Sequence, residues 1–548
     1  MRFVGAAFCR PQELGIRVRR LRLQVMDMNR IERKTIRDFH QAKWDEPVIF
    51  EYTAPGERGV IPPRAEAEIA ARTAEELAPA SLIRKSALNL PEVSQHRVLR
   101  HYTRLSQETL GADVNLEIGQ GTCTVKYSPK VNDQLARLEK MTRLHPAQPV
   151  ETVQGILQIM YETDLYMREI SGMDRFSFQP GSGSQAILAM ASIARAYHAS
   201  AHGAEKHGAS NSRREVITTI YSHPSDAAGP AVAGYDVVYI HPDKDGYPDI
   251  DEFRNALSER TAAFVVANPE DTGIYNKRIT EFTKMCRDAG ALCCYDQANA
   301  NGLLGVTRAR EAGFDMCFFN IHKTFSAPHG CGGPAVGALG VTSELEPFLP
   351  VPLVDFDGAN YSLNYDMPDS IGKVRSYTGA AQVVLKAYAW IRALGAQGLY
   401  EAAKIAVLNN NYLYRKLLEI DCVDVPYPAG QQRVEQVRYT LKKLLDDTGI
   451  GTADVQRRMM DFGMQYWSSH HPYYVAEPMT LEPTESPSKA DLDEYAAVLA
   501  HIFREAYETP EIFENAPHRS VCHKIDESGM DDPDRWAITW KSYLKKYS

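Results

Sequence analysis

The chain has 548 residues, a net charge of −9, 44% hydrophobic residues and 24% charged residues. A single hydrophobic core stops growing at about 250–300 residues, so we expect more than one domain. The acidic net charge and the lack of a long basic tract argue against nucleic acid or an anionic membrane surface as the main partner. The sequence contains no apolar run long enough for a transmembrane helix, so we predict no membrane span.

The nine cysteines contain no CxxC pair, and Cys293 and Cys294 are adjacent in an apolar run. This pattern favours buried free thiols in a reducing compartment over a disulfide framework or a zinc site. We therefore predict a cytoplasmic protein without a metal site. The arginine-rich first segment, "MRFVGAAFCRPQELGIRVRRLRLQVMDM", allows two interpretations: a transit-type peptide, or a frayed or overlong N-terminus with Met26 or Met28 as an alternative start.

Three regions of the chain differ in pattern. Residues 1–150 are polar and interrupted by proline and glycine, so we predict an N-terminal arm that wraps around another domain or subunit. Residues 151–355 alternate short apolar runs with helical stretches, which predicts a large α/β domain with a mostly parallel sheet covered on both faces. Residues 356–548 begin with long helical segments, and we predict a smaller α+β C-terminal domain.

The predicted elements of the α/β domain begin with the helix "VETVQGILQIMYETDLYMREISG", which ends at Gly172. Predicted strands follow in "RFSFQP", "REVITTIYS", "DVVYI", "TAAFVVA", "ALCCYD" and "MCFFNI". Helical stretches such as "DIDEFRNALSER" and "KRITEFTKMCRDAG" separate several of them. Ligands of an open parallel sheet bind beyond the carboxyl ends of the strands, so the loops after these strands form the candidate site.

The first two of these loops contain an anion-binding pattern and a histidine. The segment "QPGSGSQAI" places Gly183 between Ser182 and Ser184 at the start of a helix. There, backbone N–H groups, hydroxyls and the helix dipole favour an anion, although a simple helix cap is the alternative. His223 follows the strand "VITTIYS", where it could stack on a flat ring or lie in solvent.

Two later strands end at charged side chains. Asp296 ends "ALCCYD", where it could keep a ring nitrogen protonated or cap the next helix, and Lys323 follows "MCFFNI". A phosphate turn, a stacking histidine, an aspartate and a lysine on successive strands are the parts that hold pyridoxal 5'-phosphate (PLP). The phosphate would lie on the turn, the ring nitrogen on Asp296, and the aldehyde would form a Schiff base with Lys323. Asn320, close before the lysine, is a further phosphate candidate.

Long segments from about residue 37 onward resemble a known family of fold-type I (aspartate aminotransferase-like) PLP enzymes. This family is the glycine decarboxylase P-protein, PLP-bearing subunit (glycine dehydrogenase subunit 2). The matching segments include "DFHQAKWDEPVIFE", "GTCTVKYSPKVN", "YDQANANGLLG", "NIHKTFSAPHGCGGP", "SIGKVRSY" and "LEPTES". The resemblance implies the fold-type I architecture, PLP on Lys323, and an α2β2 assembly with a second, related subunit; a homodimer is the alternative.

The chain departs from the family where substrate would be met. The family reads approximately QPAAGAHGE at the phosphate turn and SAHGTNPAS at the ring, whereas this chain reads "QPGSGSQAI" and "YSHPSDAAG". Cys331 takes a glycine position of the family's HGGGGPG segment, and "QYWSSHHPYYVAEP" replaces a shorter stretch. These differences suggest a changed substrate or reaction.

Three functions stay open at this point. The first is a diverged PLP enzyme that forms an external aldimine and a Cα carbanion (a quinonoid) on an amino acid other than glycine. Elimination, replacement or C–C bond formation at the side chain would follow, as in a lyase or transferase of a specialised biosynthetic pathway, with Lys323 as proton carrier. The second is the glycine decarboxylase subunit itself, with its partner subunit and a lipoyl carrier. The third is a catalytically silent partner subunit.

The candidate site residues fall into three groups. The predicted catalytic residues are Lys323 and His223. The predicted cofactor-binding residues are Lys323, Asp296, His223, Gly183, Ser182, Ser184, Asn320, His322, Ala298 and Thr378. The predicted substrate-binding residues are Arg375, Thr122, Cys123, His329 and Asn268, with Gln185, Ser225, Asp226, His470 and His471 as further pocket candidates. For Arg375 the alternatives are a substrate carboxylate, a neighbouring subunit's phosphate and a surface ion pair.

Overall fold

The structure of the protein is a computed structural model. The residues it describes are 35–70, 76, 78–86, 88–111, 113–116, 118–119, 126–200, 203, 213–330, 332–428, 430–464, 474–522, 524–526, 529–530, 532 and 536–547. The predictions for residues 1–34 and for Thr122, Cys123, Cys331, His470 and His471 lie outside the described residues.

The secondary structure alternates strands and helices through the middle of the chain. The strands are β1 (Arg175–Ser177), β2 (Glu215–Thr219), β3 (Asp236–Ile240), β4 (Thr261–Ala267), β5 (Leu292–Gln297), β6 (Met316–Asn320), β7 (Gly337–Val341), β8 (Leu353–Phe356), β9 (Tyr361–Asn364), β10 (Val437–Thr440) and β11 (Pro478–Leu481). The α-helices are α1 (Ala67–Ala70), α2 (Gln95–Gln107), α3 (Lys130–Ala136), α4 (Glu139–Thr142), α5 (Gln154–Ser171), α6 (Gly183–Ala199), α7 (Pro224–Val232), α8 (Ile250–Ala256), α9 (Ile279–Asp288), α10 (Ala381–Leu417), α11 (Lys442–Thr448), α12 (Thr452–Met459), α13 (Lys489–Glu508) and α14 (Trp540–Tyr547). Short 3-10 helices are Ile49–Tyr52, Val150–Thr152, Glu346–Phe348, Met460–Phe462 and Pro510–Phe513.

In the part of the chain that the structure describes, seven strands form one sheet in the order β1-β7-β6-β5-β4-β2-β3. Strand β7 runs antiparallel to both of its neighbours, and the other pairs are parallel. Every residue of β5 and β6 is buried. Strands covered by helices on both faces need no polar face, and this explains their continuous apolar runs. The predicted mostly parallel α/β sheet is confirmed.

The two faces of the sheet carry two separate cores. Alternate strand residues point to opposite faces, so Phe264 belongs to one core and Val265 to the other. The first core packs aromatic side chains against α5, α9 and the first half of α10. The second packs smaller side chains against α6, whose alanines allow that helix to lie close to the sheet. The start of α6 is thereby held at the edge where the parallel strands end.

A third core lies in the C-terminal part of the chain. It joins β10 and β11, which pair antiparallel, to α13 and the end of α10. Residue Ile118 of the predicted arm belongs to this core, and its carbonyl accepts a hydrogen bond of 2.8 Å from the N–H of Glu482. Helix α10 contributes to two cores and is broken at Gly395, which has φ +63°. The boundaries 1–150, 151–355 and 356–548 remain a prediction.

The described cysteines include Cys293 and Cys294, both of which are free and buried. Among the residues that the structure describes, each helix is too short or too polar to span a lipid bilayer.

Candidate functional site

The predicted phosphate turn lies between β1 and α6. Gly183 is the first residue of α6, and Ser182 caps the helix by accepting a hydrogen bond of 3.1 Å from the N–H of Gln185. A Cβ atom on Gly183 would lie 2.8 Å from Nδ2 of Asn320, so this position requires glycine. Oδ1 of Asn320 is buried and has no hydrogen-bond partner among the described residues. An anion is bound by donors, and the turn presents two kinds of them: the first N–H groups of α6, including that of Ser184, and the nearby Nδ2 of Asn320.

A loop of the C-terminal part closes over this turn. Gln185 accepts a hydrogen bond of 2.6 Å from the N–H of Gly181 and donates one of 2.6 Å to the carbonyl of Val374. The guanidinium of Arg375 lies against Gly181 and donates to the carbonyl of Ala335 at 3.2 Å. Gln185 therefore acts as a tether between the turn and the loop, a role that its sequence position did not reveal.

Thr378 belongs to the same loop and is half-buried. The preceding carbonyl, of Tyr377, accepts a hydrogen bond of 2.6 Å from Nε2 of Gln179. Thr378 therefore lies in a loop that contacts the segment leading into the Gly183 turn of the same chain. Its predicted part in a phosphate site across a dimer interface stays a prediction.

Asp296 is buried near the end of β5, in register with Phe318 of β6. Its Oδ1 accepts a hydrogen bond of 2.7 Å from the N–H of Ala298, and the carbonyl of Ala298 in turn accepts one of 3.3 Å from the N–H of Asn320. These bonds link the carboxylate to Asn320 at the end of the neighbouring strand β6. A backbone N–H donor favours the ionised form of a carboxyl group, so Asp296 is suited to hold a protonated ring nitrogen.

Lys323 lies in the turn after β6 and is 7% exposed. Its neighbour His322 donates from Nδ1 to the carbonyl of Val336 at 3.2 Å, and its ring meets that of His329 edge-on at 4.9 Å. Burial, followed by the positive charge of Lys323 and the effect of His329, lowers the pKa of His322 to about 3. Burial also lowers the pKa of His329. The lysine therefore lies beside an uncharged imidazole at neutral pH.

His223 and Asn268 occupy two neighbouring loops. His223 follows β2, is exposed, and caps α7 by accepting a hydrogen bond of 3.1 Å at Nδ1 from the N–H of Ser225. Asn268 follows β4 and is buried; its side chain accepts from the N–H of Asn276 at 2.7 Å and donates to the carbonyl of Asn276 at 3.2 Å. The Asn268 amide thus holds its own loop together, while His223 faces outward at the strand end.

A buried lysine from the predicted arm braces the Lys323 turn and was not among the candidates. Nζ of Lys126 is 2.8 Å from the carbonyl of Thr324, 3.2 Å from Oδ1 of Asn301 and 2.9 Å from Oε1 of Glu485. The hydroxyl of Ser326 donates to the carbonyl of Tyr127 at 2.7 Å. A signal for this network was present in the matching segments, because Lys126 and Tyr127 lie in "GTCTVKYSPKVN", Asn301 in "YDQANANGLLG" and Glu485 in "LEPTES".

Comparison with known families adds two matches. The aminotransferase class-V family matches residues 181–444, and the family "Glycine dehydrogenase, C-terminal domain" matches residues 402–519. The probable glycine dehydrogenase (decarboxylating) subunit 2 of Pyrococcus abyssi is 40% identical over 507 residues, covering 92% of this chain and 98% of that protein. The chain belongs to the glycine dehydrogenase (decarboxylating) subunit 2 family. A protein of the same name from Caldanaerobacter subterraneus subsp. tengcongensis is 39% identical, over 88% of this chain and 96% of that protein.

Solved structures agree with the fold. A crystal structure of glycine decarboxylase (P-protein) of the glycine cleavage system, in inhibitor-bound form, matches with a TM-score of 0.66 at 21% identity, over 79% of this chain and 96% of that chain. A cysteine desulfurase from Thermococcus onnurineus NA1 matches with a TM-score of 0.55 at 17% identity, over 72% of this chain and 95% of that chain. The predicted fold-type I architecture and the predicted cofactor, PLP, are confirmed.

Proposed function

We propose that this family member is the PLP-bearing subunit of a glycine decarboxylase and that it works with a second, related subunit. The proposal is carried by one observation: relatives named as subunit 2 match over nearly their whole length, including the segment that holds Lys323. The contacts around Lys323, Asp296 and Gly183 support it, because a buried lysine, a carboxylate and an anion turn lie at one edge of the sheet.

The residues present fit the cofactor. When bound, PLP supplies an electron sink for bond breaking at the amino acid's Cα. The N–H groups at the start of α6 and the amide of Asn320 would hold its phosphate. The oxygen of Asp296 that is not used by Ala298 would accept the ring N–H, and Lys323 would hold the aldehyde carbon. Because His322 is uncharged at neutral pH, the amine of Lys323 is the group we assign to carry a proton to and from the substrate.

A second candidate keeps this cofactor but uses an amino acid other than glycine. One observation favours it: Gln185 stands where the family has a histidine, and it fastens the Val374 loop over the phosphate turn. The side-chain reactions expected first from the sequence (elimination, replacement and C–C bond formation) have no support in the contacts of the described residues. Burial of Lys323 beside an intact Asp296 argues against a catalytically silent subunit.

The test is exchange of labelled bicarbonate into the carboxyl group of glycine. We expect exchange only when the chain is combined with its partner subunit and a lipoyl carrier protein. Lys323→Ala should abolish both the exchange and the visible absorbance of bound PLP, whereas Lys277→Ala, at an exposed lysine, should change neither. If glycine gives no exchange with the partner present, and another amino acid alters the cofactor's absorbance instead, the second candidate is correct.

A further inference from the structure

A second carboxyl group lies beside Asp296. Asp226, in the first turn of α7, is 0% exposed, and its carboxyl group is within hydrogen-bond reach of the Asp296 carboxyl. Neither oxygen of Asp226 meets a hydrogen-bond donor among the described residues. Two carboxyl groups can share a hydrogen bond only if one of them keeps its proton. A hydrogen bond between them therefore leaves the pair with a single negative charge.

The surroundings decide which group keeps the proton. Asp296 accepts a hydrogen bond of 2.7 Å from the N–H of Ala298, which stabilises its ionised form. Asp226 has no comparable donor, so the proton belongs to Asp226. Burial, followed by the negative charge of Asp296, raises the pKa of Asp226 well above its usual range.

Two further acidic groups act on Asp226. Asp271 and Glu270 both disfavour a negative charge on it. Asp271 is already paired with Arg438 at 2.7 Å, and Glu270 accepts a hydrogen bond from the hydroxyl of Thr219. Burial raises the pKa of Glu270 to about 8. Ionisation of the Asp226 carboxyl group beside these acids would be unfavourable, because a buried charge loses its hydration.

We propose that Asp226 is an uncharged carboxylic acid whose O–H donates to Asp296, and that it thereby positions the carboxylate that meets the ring nitrogen of PLP. The proposal rests on the assignment of Asp296 to the ring nitrogen. It does not depend on whether glycine or another amino acid is the substrate. Asp226 acts through Asp296 and is a positioning residue.

The first test measures unfolding of the cofactor-free full chain in urea, between about pH 5 and about pH 7. In the unfolded chain Asp226 ionises near 3.8, whereas the native chain keeps the proton. Unfolding then releases a proton, and stability falls as pH rises. Relative to Asp226→Asn, which is similar in shape and cannot ionise, the unfolding constant of the parent should grow about tenfold per pH unit.

The unfolding constant of the parent divided by that of Asp226→Asn is the quantity to follow. If this ratio stays constant or falls as the pH rises, Asp226 is ionised in the native chain and the proposal is wrong. Asp288→Asn, at an exposed acid in the i,i+4 pair with Lys284, is the matched control and should show no such slope. If Asp226→Asn does not fold, Asp296→Asn tests the same pair. Asp296→Asn removes the neighbouring anion but retains Asp226, so the stability of this variant should depend less steeply on pH than that of the parent. An unchanged pH dependence would refute the pairing.

The second test follows PLP binding by visible absorbance, without any amino acid. Asp226→Asn keeps a donor toward Asp296 and is expected to bind PLP within about threefold of the parent at neutral pH. Asp226→Leu keeps a side chain that branches at Cγ, although a larger one, and offers no donor, so binding should weaken at least about tenfold. Equal affinities of these two variants would overturn the positioning role. If Asp296→Asn binds PLP as tightly as the parent, the assignment of Asp296 to the ring nitrogen is wrong. The positioning role of Asp226 is then wrong as well.

Discussion

Substitution of Lys126 by methionine should destabilise the protein strongly. The variant keeps an unbranched side chain, one atom shorter, but removes a cation that is 3% exposed and contacts Thr324, Asn301 and Glu485. It also removes a cation–π contact of 4.6 Å with Trp390. The Glu485 carboxylate, 19% exposed, would then stay partly buried without its counter-ion. Breaking a buried pair in this way costs about 3–5 kcal/mol.

The matched control is Lys130→Met, four residues further along the chain. Lys130 is 56% exposed and pairs with the exposed Asp113, so its loss should cost at most about 1 kcal/mol. Urea unfolding of the two cofactor-free variants measures the difference. The reasoning is refuted if Lys126→Met is no less stable than Lys130→Met. Adding Glu485→Gln to Lys126→Met removes the unpaired charge and should recover part of the lost stability.

Two further predictions concern the turn and the histidine beside the lysine. Gly183→Ala places a Cβ 2.8 Å from Nδ2 of Asn320, so PLP affinity should fall at least about tenfold in an absorbance titration, while Gly155→Ala, with open space around it, should leave affinity unchanged. His322, with its pKa lowered from 6.5 to about 3, should stay uncharged by NMR between about pH 5 and about pH 8. As the pH falls below 6.5, His322 takes up a proton in the unfolded chain but not in the native chain. The free energy of unfolding therefore decreases between pH 6.5 and about pH 3, and His322→Gln should remove this decrease.

The sequence predicted the main parts of the site because their positions follow from local pattern. Continuous apolar runs separated by helices indicate parallel strands, and the carboxyl ends of such strands meet at one edge. Lys323, Asp296, Asn320 and the Gly183 turn all follow from this rule. The structure places Asp296 and Asn320 in the last residues of β5 and β6, and Lys323 and Gly183 in the segments just after β6 and β1.

Other contacts could not be predicted, because residue type alone does not determine which partner a side chain meets. Asn268 is a predicted substrate residue, and this role stays a prediction; in the structure its side-chain amide hydrogen-bonds through both Oδ1 and Nδ2 to the backbone of Asn276. Gln185 was only a pocket candidate, yet it tethers the turn to Val374. Such roles depend on which polar group lies within reach, and that is set by packing rather than by spacing along the chain.

The amino-acid sequence by itself determined the mostly parallel sheet, the family and the cofactor. Strand and helix periodicity and the long matching segments depend only on residues that are close together in the sequence. The tertiary structure alone decided which distant side chains share the site. Lys126 meets Glu485 across 359 positions of the chain (485 − 126), and Asp226 meets Asp296 only because α7 turns that side chain inward. Contacts of this kind follow from how separate elements pack, and burial then sets their charge.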